Sequence, residues 1–135
     1  MKDICQAVYK YLSLDADIHS VIGDRLYPVL LPQNAILPSI VYSPMLANYD
    51  SALSGDTGFV RQTVQFSCHD KTFKKARELS RLVKYKLQDY KGNMYGLNIQ
   101  AVFIRSDFMS NSNTAIRFDT DEYMSVIEFE FQFNE

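Results

Sequence analysis

Cysteine is scarce in this sequence, with only Cys5 and Cys68 among 135 residues. Two thiols are too few for a disulfide scaffold, and a chain made in a reducing cytosol is the expectation. No apolar run approaches the roughly 20 residues that a membrane span needs, which excludes a transmembrane helix and a membrane partner. The opening Met1-Lys2-Asp3-Ile4-Cys5-Gln6 lacks the uninterrupted apolar core of a secretion signal. Internal repeats and low-complexity tracts are missing too. Proline is absent after Pro44, which frees everything beyond it for regular structure. What remains is an ordinary globular composition, 47% hydrophobic and 22% charged. That reads as one domain over 1–135, long enough to bury roughly 65–70% of its unfolded surface.

The periodicity gives an outline. Ile4, Val8 and Leu12 mark an amphipathic helix over 3–12 with Asp3 as N-cap. Asp15 to Ile22 is a second helical turn with Ile18, Val21 and Ile22 inward, stopped by Gly23. Pro28, Pro32, Pro38 and Pro44 confine the next stretch to connector and edge strand around Ile40-Val41-Tyr42. Asn48 to Gly58 is turn chemistry and reads as a long loop. Phe59 to Cys68 is a strand with Val64, Phe66 and Cys68 on one face. Thr72 to Tyr90 is the best helix, with Phe73, Ala76, Leu79, Leu82, Val83, Leu87 and Tyr90 as its apolar stripe. Asn93 to Leu97 is a short strand and turn around Gly96. Asn98 to Phe108 is a strand with Ile99, Ala101 and Phe103 inward, and Met109 to Asp121 a second long loop. The final strand, Tyr123 to Phe133, alternates Tyr123, Ser125, Ile127, Phe129, Phe131 and Phe133 against Met124, Val126, Glu128, Glu130 and Gln132. The order predicts an α+β fold: a mostly antiparallel sheet of about four main strands, one long helix across a face, and short N-terminal helices.

A search for chemistry finds no constellation. His19 and His69 are the only histidines, and neither has metal-ligand spacing with a second ligand. Cys68 and His69 are adjacent on a strand and so point to opposite faces, which reads as a buried thiol beside a surface histidine. Glu128 and Glu130 share a strand face about 7 Å apart, but acid–base work requires one of them desolvated. No phosphate-binding glycine loop and no nucleophile elbow occur. No cofactor is expected. A small enzyme centred on Cys68 or on Glu128/Glu130 remains the rival reading.

Charge is more telling. The net charge of −2 divides into +6 over residues 71–91, where eight basic residues face two acids, and −8 elsewhere. A basic helix admits a nucleic-acid-binding adaptor as a further rival. However, the chain is acidic overall (pI about 5.6) and that helix has no aromatic platform on its basic face.

One stretch is more distinctive than its physics requires. Gly23-Asp24-Arg25-Leu26-Tyr27-Pro28, then Leu31-Pro32-Gln33, then Leu37-Pro38-Ser39-Ile40-Val41-Tyr42 resembles the opening signature of the tail-completion, or tail-terminator, proteins of long-tailed bacteriophages. Later landmarks keep the order: polar loop, strand, helix, Tyr90-Lys91-Gly92, a turn at Gly96, strand, loop and aromatic last strand. The resemblance covers nearly the whole chain. It lacks the Trp that some relatives carry in the last strand.

The resemblance implies a non-enzymatic virion protein, made in the host bacterial cytoplasm. It implies a ring homo-oligomer, commonly a hexamer, on the head-proximal end of the tail tube. Its implied partners are the major tail tube protein and the head-completion (stopper) protein of the connector, with DNA passing transiently through the lumen. The charge split suits such a ring, since each subunit of a cyclic assembly presents two different flanks. A basic flank with Lys74, Lys75 and Arg81 would face an acidic one with Glu128 and Glu130. Tyr49, Asp50 and Asp56 on the first loop, and Asn113 and Arg117 on the second, are the remaining candidate contacts, ordering against tube or connector.

Overall fold

The computed structural model describes residues 3–53, 55–111 and 122–134, with backbone only at 56, 57, 110 and 111. Helix α1 (Ile4–Ser13) starts where Asp3 accepts a hydrogen bond from the Cys5 amide at 3.0 Å, and it buries Ile4, Ala7, Val8 and Leu12. Helix α2 (Ala16–Ile22) is capped by Asp15 through the Ile18 amide and ends at Gly23, whose φ of 59° suits glycine. Strand β1 (Leu26–Pro28) runs parallel to β2 (Ser39–Ala52), with Leu26 beside Ile40. Strand β3 (Gly55–Asp70) returns antiparallel to β2, and Thr72 then caps α3 (Phe73–Leu87). A tight turn at Tyr95-Gly96 joins β4 (Gly92–Met94) to β5 (Leu97–Asn111). Strand β6 (Tyr123–Asn134) inserts between β3 and β5, giving the order β1-β2-β3-β6-β5-β4.

This corrects the expected fold class. About half of the described residues are strand, and they form one mixed six-stranded sheet curled into a half-barrel, with three short helices. They do not form four antiparallel strands with one long helix. Two causes are visible. Strands β1 and β4 have three residues each, too few to show a period in sequence. The predicted 72–90 helix stops at Leu87 because Gln88 adopts an extended ψ of 131° and Asp89 a φ of 60°.

The core lies between the helices and one sheet face. Phe66 and Phe129 meet edge-on at 5.8 Å, and Val64, Cys68, Ile127 and Phe131 extend this layer beneath Leu79, Val83 and Leu87 of α3. Such a layer is the main stabilising term. Ser125 donates to Ser80 at 2.7 Å within it, so both buried hydroxyls are satisfied.

Three local expectations fail for physical reasons. Between Ile99 and Ala101 the β5–β6 register slips by a residue, so Val102 becomes buried while Ala101 and Phe103 turn to the opposite face. Phe73 is exposed and stacks edge-on with Tyr123 at 6.4 Å instead of joining the stripe. Residues 48–58 form no loop. Apart from the turn at Leu53, their described residues lengthen β2 and β3, pairing Asn48 with Arg61 and Ala52 with Gly55. Of the second predicted loop, Met109 to Asn111 belong to β5 and residues 112–121 lie outside the described residues.

Candidate assembly surfaces

The thiol and carboxylate candidates sit in unlike surroundings. Cys68 is fully enclosed, and burial, reinforced by Asp107, pushes its thiol far up, away from the thiolate a nucleophile needs. Cys5 is pushed up to about 11 by burial and then by Asp3. His69 is not a surface residue. It is buried, and its Nδ1 lies 2.8 Å from Glu122 Oε1. Among the described residues no group of three His, Cys, Asp or Glu could hold a metal ion, and no helix is long and apolar enough to cross a membrane.

Glu128 and Glu130 do share a face, the one turned away from the helices. Ser106 Oγ donates to Glu128 at 2.5 Å, and Gln65 Nε2 donates to it at 3.1 Å. Arg105 bonds Glu130 at 2.8 Å, and Gln132 Nε2 donates to the same oxygen. The Arg105 hydrogen bond holds the Glu130 carboxyl below its ordinary value, the opposite direction from a general acid. Arg105 also lies over the Phe103 ring at 5.6 Å. This is a polar, internally paired surface that no helix covers.

The basic helix divides in two. Arg77 is tied to Asp107 at 3.1 Å, and Lys86 bridges α2 through Asp17 at 2.7 Å and Asp15 at 3.2 Å. The hydrogen bond to Asp17 and that to Asp15 raise the Lys86 pKa. These two cations fasten α3 to the body. Lys74, Lys75 and Arg81 project outward.

Lys75 stands on the rim of a groove of about 730 Å³, walled by Val21, Leu37, Pro38, Leu79 and Leu82 and rimmed by Asp70, Lys71, Thr72 and Glu78, so that its acids and cations balance. Arg25 holds the loop wall in place, its Nε donating to the Pro38 carbonyl at 2.8 Å. Far from this groove, the paired ends of β2 and β3 form an arm. Met45, Leu46 and Tyr49, on β2 where β3 still pairs with β6, are 50%, 68% and 60% exposed, and Leu53 at the turn beyond is fully exposed.

The predicted contact residues therefore occupy separate places. Tyr49 and Asp50 are near the end of β2, and Asp56, the second residue of β3, lies opposite Ser51. Lys74, Lys75 and Arg81 are on α3, and Glu128 and Glu130 are on the open face. Asn113 and Arg117 lie outside the described residues. Sequence reasoning missed the groove, which is assembled from three distant segments. It also missed Met45 and Leu46, although an adjacent apolar pair after Pro44 breaks strand alternation and was a readable signal.

A family model described as tail completion protein gp17 matches residues 6–133. None of the curated proteins matches the chain. Among solved structures, a chain from the virion of a native gene transfer agent particle superposes with a TM-score of 0.70 at 16% identity, covering 96% of this chain and 93% of its own. Another solved chain gives 0.53 at 13% identity, covering 98% and 94%. At such identities the likeness establishes the fold.

Proposed function

The chain belongs to the tail completion protein gp17 family, structural proteins of phage-type tails, and from that premise we propose how it acts. It forms a ring, a hexamer in the simplest case, on the head-proximal end of the tail tube, stops tube growth and joins the tail to the stopper protein of the head connector. DNA crosses its lumen without being read. The family match over residues 6–133 carries this reading.

The surfaces support it. Arm, groove and open face are three unlike surfaces on one subunit, and a heterologous ring with a tube below and a connector above needs surfaces of this kind. The open face with Glu128 and Glu130 is our candidate partner surface, and Tyr49, Asp50, Lys74, Lys75 and Arg81 are candidates for subunit contacts. Excess negative charge outside α3 suits a channel for DNA, because like charge prevents adhesion.

The test is electron microscopy of particles produced without this protein. Overlong or headless tails are the expected result, and joined virions with tails of normal length would reject the reading.

A further inference from the structure

We propose that the outer edge of β5 in one subunit pairs antiparallel with the outer edge of β2 in the next copy, so that the sheet runs on from subunit to subunit. This inference rests on the ring reading above and names the joint that closes the ring.

Both edges are open. Strand β1 pairs only with Ile40 to Tyr42 of β2, and β4 only with Leu97 to Ile99 of β5. Among the described strands, none pairs with the outer side of β2 from Ser43 to Asn48, or of β5 from Ala101 to Ser106. An open edge offers backbone donors and acceptors to any extended strand, and soluble proteins shield such edges, with lysines above all. Here the shield is thin. Residues 43–48 hold no charged side chain, and Pro44 removes a single donor. On β5, Arg105 is already tied to Glu130 at 2.8 Å, and Asp107 just beyond is tied to Arg77 at 3.1 Å. Large apolar side chains stand exposed on both edges, Met45 and Leu46 on β2 and Phe103 on β5.

The register makes a second copy the occupant. Ser43 pairs with Gln65, Gln65 with Glu128 and Glu128 with Ser106, and Asn48, Arg61, Gln132 and Ala101 form a parallel row. These two rows bound the open stretch on each edge, so both stretches lie at one height of the sheet. Between them, Met45 and Leu46 oppose Thr63, which pairs with Glu130 and through it with Phe103. That middle row therefore ends in apolar side chains at both edges. Rotation about a ring axis keeps every copy at one height and brings one stretch against the other. Strands β2, β3, β6 and β5 alternate in direction, so β5 of one copy meets β2 of the next antiparallel, as every long strand already meets its neighbour. The short strands stand clear of the joint: β1 is level with Met109 and β4 with Tyr49, one beyond each end. A two-fold contact of β2 with β2 would leave every β5 edge bare, whereas the head-to-tail joint covers both edges of each subunit.

The test places Leu46→Cys on one edge and Phe103→Cys on the other, both exposed positions. Within a subunit they are three strand spacings apart, about 14 Å, and a shorter bis-maleimide links only neighbouring copies. The full chain carrying both is assembled into particles and treated with it. The expected result is a ladder of covalent oligomers from the double variant and no oligomer from either single variant, which also controls for Cys5. Normally terminated tails without a ladder overturn the joint and leave the ring reading intact. A covalent dimer from one single variant indicates a two-fold contact and overturns it as well. Normal tails in particles lacking the protein remove both readings. As a second measurement, Phe103→Lys is expected to keep its melting temperature and to lower occupancy on tails at least tenfold. Full occupancy would overturn the joint.

Discussion

Strands β2 and β3 pass through two environments with the same backbone pairing. At their base, Ile40, Val64, Phe66 and Cys68 lie under the helices and are fully buried. Toward their other end, Met45, Leu46 and Tyr49 on the edge strand β2, and Leu53 at the turn beyond β6, are exposed although the ladder continues to Ala52 and Gly55. Hydrogen bonding is therefore not what separates the halves. An antiparallel pair stabilises a protein when something covers it, and a two-stranded ribbon alone is marginal in water. The base contributes to folding, whereas the apolar side chains of the other end contribute little until another surface meets them.

That contrast can be broken or sharpened by measurement. Phe129→Ala at the base should cost about 3–5 kcal/mol, seen as a lower urea midpoint, because it opens a cavity beneath α3. Thr72→Ala removes the side chain that accepts from the Lys75 amide at 3.2 Å. It should cost about 1 kcal/mol in thermal melting, by loosening the helix that covers the base. Arg105→Ala, on the open face, should cost about 0.5 kcal/mol at neutral pH, because the pair is half exposed. The sign with pH follows from Glu130. Its folded pKa lies below the ordinary 4.5, so the contribution is complete above that value and disappears as pH falls through the folded one. Melting of wild type and variant should converge in acid. Leu53→Ser on the arm should change stability by less than about 0.5 kcal/mol. A large loss there would mean that the arm is already covered within its own subunit.

Legibility followed the same division. The strong periods of α1, β6 and the middle of β3 were readable because one face of each is buried by local neighbours, and the caps Asp3, Asp15 and Gly23 announced their helix ends. Residues 48–58 resembled a loop because an uncovered arm has no reason to alternate. Ala101 and Phe103 fall on the other face because a single extra residue at the bulge reverses the alternation as far as a second shift between Ile104 and Ser106, and nothing local in the sequence marks either slip. His69 was misjudged because its partner Glu122 lies 53 positions away.

By itself the sequence determined that this is a foldable core with no apolar run long enough for a membrane-spanning helix, that its cations collect on one segment, and that its opening punctuation resembles that of tail completion proteins. Those properties reside in composition and in short spacings. Only the tertiary structure decided that the sheet is mixed and six-stranded, that two of those cations brace α3 while Lys74, Lys75 and Arg81 project, and that the β2–β3 turn and the groove beside α3 lie at opposite ends of β3. Each of these depends on residues far apart in the chain, whose pairing and burial are set by the packing of the whole fold and not by any local preference.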